Sequence, residues 1–258
     1  MKKIIALLLV LIMVFALAAC GQKDKAMVYA VEAGSAGEAA ALENSFEINS
    51  VDTQAKALME VDAGTSDAAI IDSLMAGAMV GEGTSYPDLV VTDQKLTEEL
   101  YGAGCRKGSD LAGYINEVMS EAYADGTMQE RAKTYGVQEA LVEQPAATGS
   151  APAADGDVAY IQGKGTLVVG ITDFAPMDYK DASGEWIGFD ADMAKIVAEK
   201  LGVEIQFVEI DWDNKVFELD GKAIDVVWNG MTLTDAMLAA MECTNAYCNN
   251  AQVVVTKG

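Results

Sequence analysis

A run of small residues and prolines at 143–157 is the feature that most limits how this chain can fold. It holds two prolines and two glycines, and it has no large apolar side chain. Such a composition is typical of a linker and does not supply a core element. Short apolar runs alternate with helical patterns on both sides of it, which is typical of the α/β class. The sequence therefore predicts one α/β lobe over residues 27–108 and another over residues 158–258.

The clearest strand–loop–helix unit lies at 165–201. Its apolar run at 166–171 is short enough to be a buried strand. A helical apolar pattern comes later and stops at Gly202, a residue typical of helix ends. Asp173 and Phe174 lie in the loop that directly follows the strand, where open α/β sheets place their ligands. We therefore expect this loop to face a ligand.

The part before the linker repeats the alternation and then ends in helices. The run at 67–71 predicts a buried strand with Asp72 at its carboxyl end, and Ser35 stands where the first helix begins. Residues 109–142 predict two helices separated by an Asp-Gly break. We call this segment the closing helices; it follows the first predicted lobe and precedes the linker.

The charge and the residue types exclude several functions. The chain has 17 basic and 40 acidic residues, a net charge of −23 and no histidine. Nucleic acid is a poor partner because its phosphates require a basic surface. The acidity fits either a solvated surface or attraction of a cationic ligand. Histidine-dependent catalysis and metal ligation are excluded, and no phosphate-binding or dinucleotide-binding glycine motif is present, so we expect no cofactor, no metal and no catalytic residues.

The N-terminus has the pattern of an export signal. Lys2 and Lys3 precede an unbroken apolar run at 4–19, which is short for a membrane span. The Leu-Ala-Ala-Cys sequence ending at Cys20 resembles a bacterial lipobox, which implies lipidation of Cys20. We expect a signal peptide over residues 1–20, a tether over 21–26, and anchoring outside the cytoplasm. An ordinary signal peptide or an uncleaved anchor is the alternative.

Three further cysteines, Cys105, Cys243 and Cys248, are an odd number for an exported protein. A bond between Cys243 and Cys248 is one possibility, and buried free thiols are the other. The spacing does not decide between them.

Taken together, several segments resemble the extracellular solute-binding proteins of polar amino-acid ABC importers. In the second part they are GTLVVGI at 165–171, APMDYKDASGEWIGFDADMA at 175–194, GKAIDVVWNGMTLTD at 221–235 and NAYCNNAQVVVTK at 245–257. In the first part they are VEAGSAGE at 31–38, GTSDAAIIDS at 64–73 and GYINEVMSEAYADGTMQERAKTYGV at 113–137. The resemblance implies an α/β, two-lobed periplasmic-binding-protein-like fold of type II. It also implies a small-molecule ligand in the inter-lobe cleft, an ABC permease as partner, and a monomer that is not an enzyme.

The order of these segments differs from the family's order. In this family the GTLVVGI lobe normally comes first, whereas here it follows the other lobe and the closing helices. The order predicts a circular permutation in which residues 143–157 rejoin the family's original ends. We expect the permutation to remove one of the two crossings between the lobes and to loosen the hinge. Exchange of lobes between two molecules is a second possible consequence.

The resemblance assigns ligand-binding roles to particular residues. It implies that Phe174 and Trp212 form aromatic walls and that Asp72 accepts hydrogen bonds from the ligand ammonium. It also implies that the backbone and hydroxyl groups of Asn229, Gly230 and Thr232 hold the ligand, and that Ser35 lies in a turn that binds the ligand carboxylate. Asp173 is a further candidate beside Phe174. Trp212 is alternatively a surface residue, and Asp72 is alternatively a helix N-cap.

One residue departs from the family pattern. Met237 stands where the family usually has an arginine that binds the ligand α-carboxylate with two hydrogen bonds. The chain then either holds an amino acid by backbone amides or another cation, or binds an amine without an α-carboxylate. A sensory lipoprotein that has lost transport is an alternative function. A dehydratase-like enzyme using Asp72 and Asp173 is another.

Overall fold

The computed structural model describes residues 26–149 and 151–258. The predicted signal peptide, Cys20 and the tether up to residue 25 lie outside these residues. Within the described part, no helix has the length and apolar character needed to cross a membrane. The described strands form two larger sheets, and helices pack on each of them. The two-lobed α/β fold predicted from the sequence is confirmed.

Lobe 1 is built on a five-stranded sheet with the order β2-β1-β3-β13-β4. Strands β1 and β2 pair in parallel, as do β1 and β3, while β13 is antiparallel to both of its neighbours. Its elements are β1 (Val28–Glu32), α1 (Ala36–Glu43), β2 (Glu47–Val51), α2 (Gln54–Ala63), β3 (Ala68–Asp72), α3 (Ser73–Met79), β4 (Leu89–Lys95) and β13 (Gln252–Lys257).

Lobe 2 is built on a sheet with the order β11-β5-β10-β6-β9, in which β12 also pairs with β5. Strands β7 and β8 form a separate hairpin. The elements are β5 (Glu99–Cys105), α4 (Leu111–Ala124), α5 (Thr127–Thr134), α6 (Asp157–Lys164), β6 (Thr166–Ile171), β7 (Tyr179–Lys180), β8 (Trp186–Ile187), α7 (Phe189–Leu201), β9 (Glu204–Glu209), α8 (Lys215–Asp220), β10 (Val226–Thr232), α9 (Asp235–Ala240), β11 (Glu242–Cys243) and β12 (Cys248–Asn250).

Local sequence signals place several of these elements correctly. Strand β6 has the predicted bounds, and α7 ends at Gly202, whose φ of +74° is favourable for glycine. Helix α2 begins after Thr53, whose side chain accepts a hydrogen bond from the Lys56 backbone N–H at 3.1 Å. Helix α6 and the β7–β8 hairpin were not predicted, because both are too short to show a clear period.

The sheets divide the chain differently from the predicted lobes. Strand β5 falls in the predicted first lobe, residues 27–108, but pairs within the sheet of lobe 2. Strand β13 falls in the predicted second lobe, residues 158–258, but pairs within the sheet of lobe 1. Among the described residues the chain therefore crosses between sheets twice, at 96–98 and at Ala251. The expected loss of one crossing is wrong, because apolar runs identify strands without identifying the sheet they join.

The closing helices and the linker both lie against lobe 2. Helix α4 packs on β5 and α7, and α5 packs on α7. The linker backbone is held by two carboxylates of this region. Glu117 accepts from Thr148 N at 2.9 Å, and Asp110 accepts from Ala153 N at 2.9 Å. Asp110 directly precedes α4, but its side chain makes no capping bond to that helix.

The three cysteines of the described part are free thiols. Cys105 and Cys248 are buried, and Cys243 is half-buried. Burial raises the pKa of all three thiols, which keeps them protonated and poorly reactive. Of the two alternatives left open by the sequence, the structure supports free thiols.

Candidate functional site

A cavity of ≈ 280 Å³ lies between the lobes. Lobe 1 lines it with the β1–α1 turn and the end of β3, and lobe 2 lines it with β10, α9 and the turn before α8. The structure brings seven of the nine predicted site residues to this cavity: Ser35, Asp72, Trp212, Asn229, Gly230, Thr232 and Met237. Strand ends and helix starts from two sheets converge here, as expected for ligand sites of open α/β sheets.

Phe174 and Asp173 do not line this cavity. Phe174 is buried behind Gly230, and its ring centroid lies 6.4 Å from that of Tyr101. A Cβ atom on Gly230 would lie 2.4 Å from Phe174 Cε1, so Phe174 supports the cavity wall from behind. Asp173 is exposed and lines a separate groove that also includes Lys56.

Asp72 is buried, and donors from the protein occupy its carboxylate. Oδ1 accepts from Tyr101 Oη at 2.7 Å and from Gln252 Nε2 at 3.0 Å. The side-chain amides of Gln54 and Asn250 also donate to this carboxylate. Burial raises the pKa of Asp72 to about 7, and the nearby carboxyl of Glu99 adds to this effect.

The alternative role of Asp72 as a helix cap is not supported. Asp72 does occupy the position before α3, but its side chain forms no hydrogen bond to that helix. Its carboxylate turns instead toward the crossing at Ala251, whose two neighbours Asn250 and Gln252 both donate to it. Asp72 therefore joins the cavity to the hinge.

Glu32 is a cavity residue that the sequence analysis missed. It is the last residue of β1, only 3% of its surface is exposed, and its Oε1 has no hydrogen-bond partner among the described residues. Burial raises the pKa of Glu32 to about 8, with a further contribution from Asp72, while Lys215 opposes the shift. Like Asp72, Glu32 is a carboxylate at the carboxyl end of a strand, and this signal could have identified it.

Lys215 is the second missed residue. It is the first residue of α8, and its Nζ donates to the carbonyl oxygens of Gly34 at 2.9 Å and Trp212 at 3.0 Å. The same Nζ lies 4.7 Å from the centroid of the Trp212 ring, within range of a cation–π interaction. Burial lowers the pKa of Lys215. No motif used in the sequence analysis includes this lysine.

The lobes touch beside Lys215. Gly34 belongs to lobe 1 and has a φ of +69°. A Cβ atom added to it would lie 2.7 Å from Asp213 Oδ1 and 2.8 Å from Asp213 Cα, both in lobe 2. Glycine is therefore required at position 34 for the backbone conformation and for the close approach of the lobes. The structure shows the cleft closed at this point.

Other predicted residues are already engaged by the protein. Ser35 Oγ accepts from Glu38 N at 3.1 Å and caps α1. Asn229 is paired with Thr172 through two hydrogen bonds, and Thr232 Oγ1 donates to a carboxylate at 2.9 Å. These contacts fix the shape of the cavity wall.

No group of acidic or cysteine side chains in residues 26–149 and 151–258 is arranged to hold a metal ion.

Comparison with known families identifies the second part of the chain. Residues 167–258 match the model of the bacterial extracellular solute-binding proteins, family 3. A probable amino-acid ABC transporter-binding protein of Haemophilus influenzae is 37% identical over 93 residues, which are 36% of each chain. The arginine-binding extracellular protein ArtP of Bacillus subtilis is 31% identical over 96 residues, 37% of each chain. The L-cystine-binding protein TcyJ of Escherichia coli is 32% identical over 100 residues, 38% of each chain. The matched part of the chain thus spans a little over a third of the length of these relatives.

Solved structures match a similar share of this chain. An ancestral cationic amino acid solute-binding protein is 38% identical, with 32% of this chain and 37% of that chain covered at a TM-score of 0.31. The arginine-bound form of domain 1 from TmArgBP is 30% identical, with 36% of this chain and 84% of that chain covered at a TM-score of 0.31. An ancestral cyclohexadienyl dehydratase is 36% identical, with 32% of this chain and 34% of that chain covered at a TM-score of 0.31.

The family's sequence pattern and the two-lobed α/β fold agree. Over residues 167–258, this chain has the sequence pattern of the bacterial extracellular solute-binding proteins of family 3.

Proposed function

We propose that the protein is the extracytoplasmic binding component of an ABC importer and captures a small amino acid or a related amine between its lobes. One observation carries the proposal: the closed inter-lobe cavity places carboxyls of lobe 1 opposite an ammonium group of lobe 2. Groups of opposite sign on facing walls suit a zwitterion, and a cavity of ≈ 280 Å³ suits a ligand of amino-acid size. The names of the relatives, which bind amino acids, support the same class of ligand.

We further propose an ABC permease as partner, a lipid anchor at Cys20 and a monomeric state. The family's extracellular or periplasmic location supports the first two proposals. The permuted order is also our proposal. It is supported by the position of the family match, at 167–258, behind a lobe whose segments resemble the family's other half. The linker held against lobe 2 is where the original ends would have been joined.

Catalysis is not part of the proposal. The acid pair that a dehydratase-like enzyme was expected to use is Asp72 and Asp173. Asp72 lines the cavity, whereas Asp173 is exposed in another groove, which argues against joint action on one ligand.

Titration calorimetry against a panel of amino acids and of amines without an α-carboxylate tests the proposal. We expect saturable binding of one stoichiometric ligand and no turnover of that ligand. Absence of binding across both sets would refute the proposed function, and conversion of a bound ligand would refute the exclusion of catalysis.

Lys215 is proposed to replace the family's arginine as the cation for an α-carboxylate. Lys215→Met should weaken the binding of α-amino acids roughly tenfold to hundredfold, since hydrogen bonds to charged groups contribute about 1.5–3 kcal/mol. Binding of an amine without a carboxylate should not weaken. Lys222→Met, which removes an exposed lysine outside the cavity, is the matched control. Equal losses for both ligand types would contradict the assignment.

Met237→Arg should restore the family's arrangement. Met237 lines the cavity from α9, and an arginine there can bind a carboxylate with two parallel hydrogen bonds. We expect affinity for α-amino acids to rise roughly tenfold or more in calorimetry, by the same estimate of charged hydrogen bonds. Met237→Leu, which adds no charge, should leave the affinity nearly unchanged. A gain with leucine as large as with arginine would show that packing and not charge is responsible.

A further inference from the structure

The ionisable groups that line the described part of the cavity are predominantly acidic. Glu32, Glu38 and Asp72 contribute carboxyls, and Lys215 contributes the one ammonium group. A zwitterionic ligand brings no net charge to these groups. A ligand with a net positive charge would favour the ionised form of the carboxyls. Opposite charges in a buried site stabilise each other more strongly than they do in water.

Two of the three carboxyls accept hydrogen bonds from the protein at both of their oxygens. Asp72 accepts hydrogen bonds from four side chains, as described above. Glu38 accepts from Gly34 N at 2.9 Å and from Ser50 Oγ at 3.0 Å. Asp72 thus has four donors for its carboxylate, and both oxygens of Glu38 are held by groups of its own lobe.

Glu32 differs from both. It is 3% exposed, and its Oε1 lacks any hydrogen-bond partner in the described structure. A buried polar atom without a partner is costly, and native proteins rarely retain one without a role. Lys215 lies near enough to influence Glu32, but its Nζ donates to two carbonyl oxygens, and no ion pair joins it to Glu32 among the described residues.

We propose that Glu32 accepts the cationic group of a ligand with net positive charge and thereby sets the ligand specificity of the cavity. The inference rests on the proposed function, which it narrows from amino acids and amines in general to cationic ones. An ammonium or guanidinium group would supply the donor that Oε1 lacks. Asp72 then acts mainly by shaping the wall next to the hinge.

The surroundings of Glu32 predict that ligand binding depends on pH. The groups that face it are Asp72 from β3, Gln54 from α2, Lys215 from α8 and Asp211 from the loop before α8. Because its pKa is about 8, Glu32 is mostly protonated at pH 7 in the absence of ligand. A bound cation favours the carboxylate, so binding should release a proton, and affinity should rise as the pH increases from 6 to 8.

Calorimetry with two matched ligand pairs tests the proposal: L-arginine against L-citrulline, and L-lysine against L-norleucine. The wild-type protein should bind the cationic member of a pair roughly tenfold to hundredfold more tightly than the neutral one. Glu32→Gln should abolish this preference and also the proton release, which is measured as the dependence of the binding enthalpy on the buffer. Glu43→Gln removes an exposed carboxylate at the end of α1 and should retain both.

The outcomes separate the two proposals. Equal binding of cationic and neutral members by the wild type, or an unchanged preference in a folded Glu32→Gln variant, overturns the role of Glu32 but leaves the binding function supported. No binding of any member, nor of any compound in the broader panel, overturns both. The wild-type comparison needs no variant, so a Glu32→Gln protein that fails to fold does not prevent the decision.

Discussion

Gly230→Ala is expected to destabilise the protein by about 2–4 kcal/mol, because it combines overpacking with backbone strain. The new Cβ would lie 2.4 Å from Phe174 Cε1 and 3.0 Å from Tyr101 Cε2. Gly230 also has a φ of +57°, which side-chain-bearing residues rarely adopt. Because Gly230 forms part of the cavity wall, ligand binding should be lost together with stability. Urea unfolding followed by circular dichroism measures the first effect, and calorimetry measures the second.

Gly163→Ala is the matched control. Gly163 lies within α6, and a Cβ there would meet nothing within 4 Å. Alanine favours the helix, so this variant should be neutral or slightly more stable. A Gly230→Ala protein as stable as the Gly163→Ala protein would contradict the prediction. It would show that the Phe174 and Tyr101 side chains can move to accommodate the added Cβ atom at little energetic cost.

The second large effect is a loss of stability as the pH rises. Burial raises the pKa of Glu32 to about 8 and the pKa values of Asp72 and Asp190 to about 7. In the unfolded chain these carboxyls titrate near pH 4. Between pH 5 and 7 the folded protein therefore binds more protons than the unfolded chain. Their stabilising contribution is complete below about pH 4 and is lost as the pH rises through 7–8, at about 1.4 kcal/mol per pH unit for each such group.

Urea unfolding at pH 5, 6, 7 and 8 measures this slope, and Asp190→Asn separates one contribution from the rest. Asp190 accepts from Gly230 N at 2.6 Å and from Tyr247 Oη at 2.7 Å, and an asparagine oxygen can accept the same bonds. The variant should show a shallower slope by up to one proton. The exposed Asp125 and Asp181 have lowered pKa values because of hydrogen bonds, and they act below pH 4, outside this window. A stability that rises from pH 5 to 8 would contradict the prediction.

The fold was predictable where a local signal decides the structure. The apolar run of β6 and the glycine that ends α7 predict those elements from neighbouring residues alone. The sheet to which a strand belongs depends on distant partners instead, which is why β5 and β13 were assigned to the wrong lobes. The apolar pattern of a strand does not show with which of two sheets the strand pairs.

The site was predictable where a motif marks it. Asp72 and Gly230 lie in recognisable segments, and both reach the cavity. Lys215 has no motif, and its ammonium group becomes part of the site only because the turn before α8 approaches lobe 1. Phe174 lies in a recognisable loop, but its ring is buried behind Gly230. A sequence pattern does not show whether a ring faces the cavity or packs behind the cavity wall, so this position could not be predicted.

The position of the two crossings determines which contacts respond first to opening. Asp72 is hydrogen-bonded to Asn250 and Gln252 beside one crossing, so it sits close to the axis about which the lobes can rotate. Lys215 follows β9, which lies three strands from β5, a distance of about 14 Å at normal strand spacing. A small rotation therefore displaces Lys215 from Gly34 by far more than it disturbs Asp72. The lysine contact is therefore the one that we expect to break first when the lobes separate.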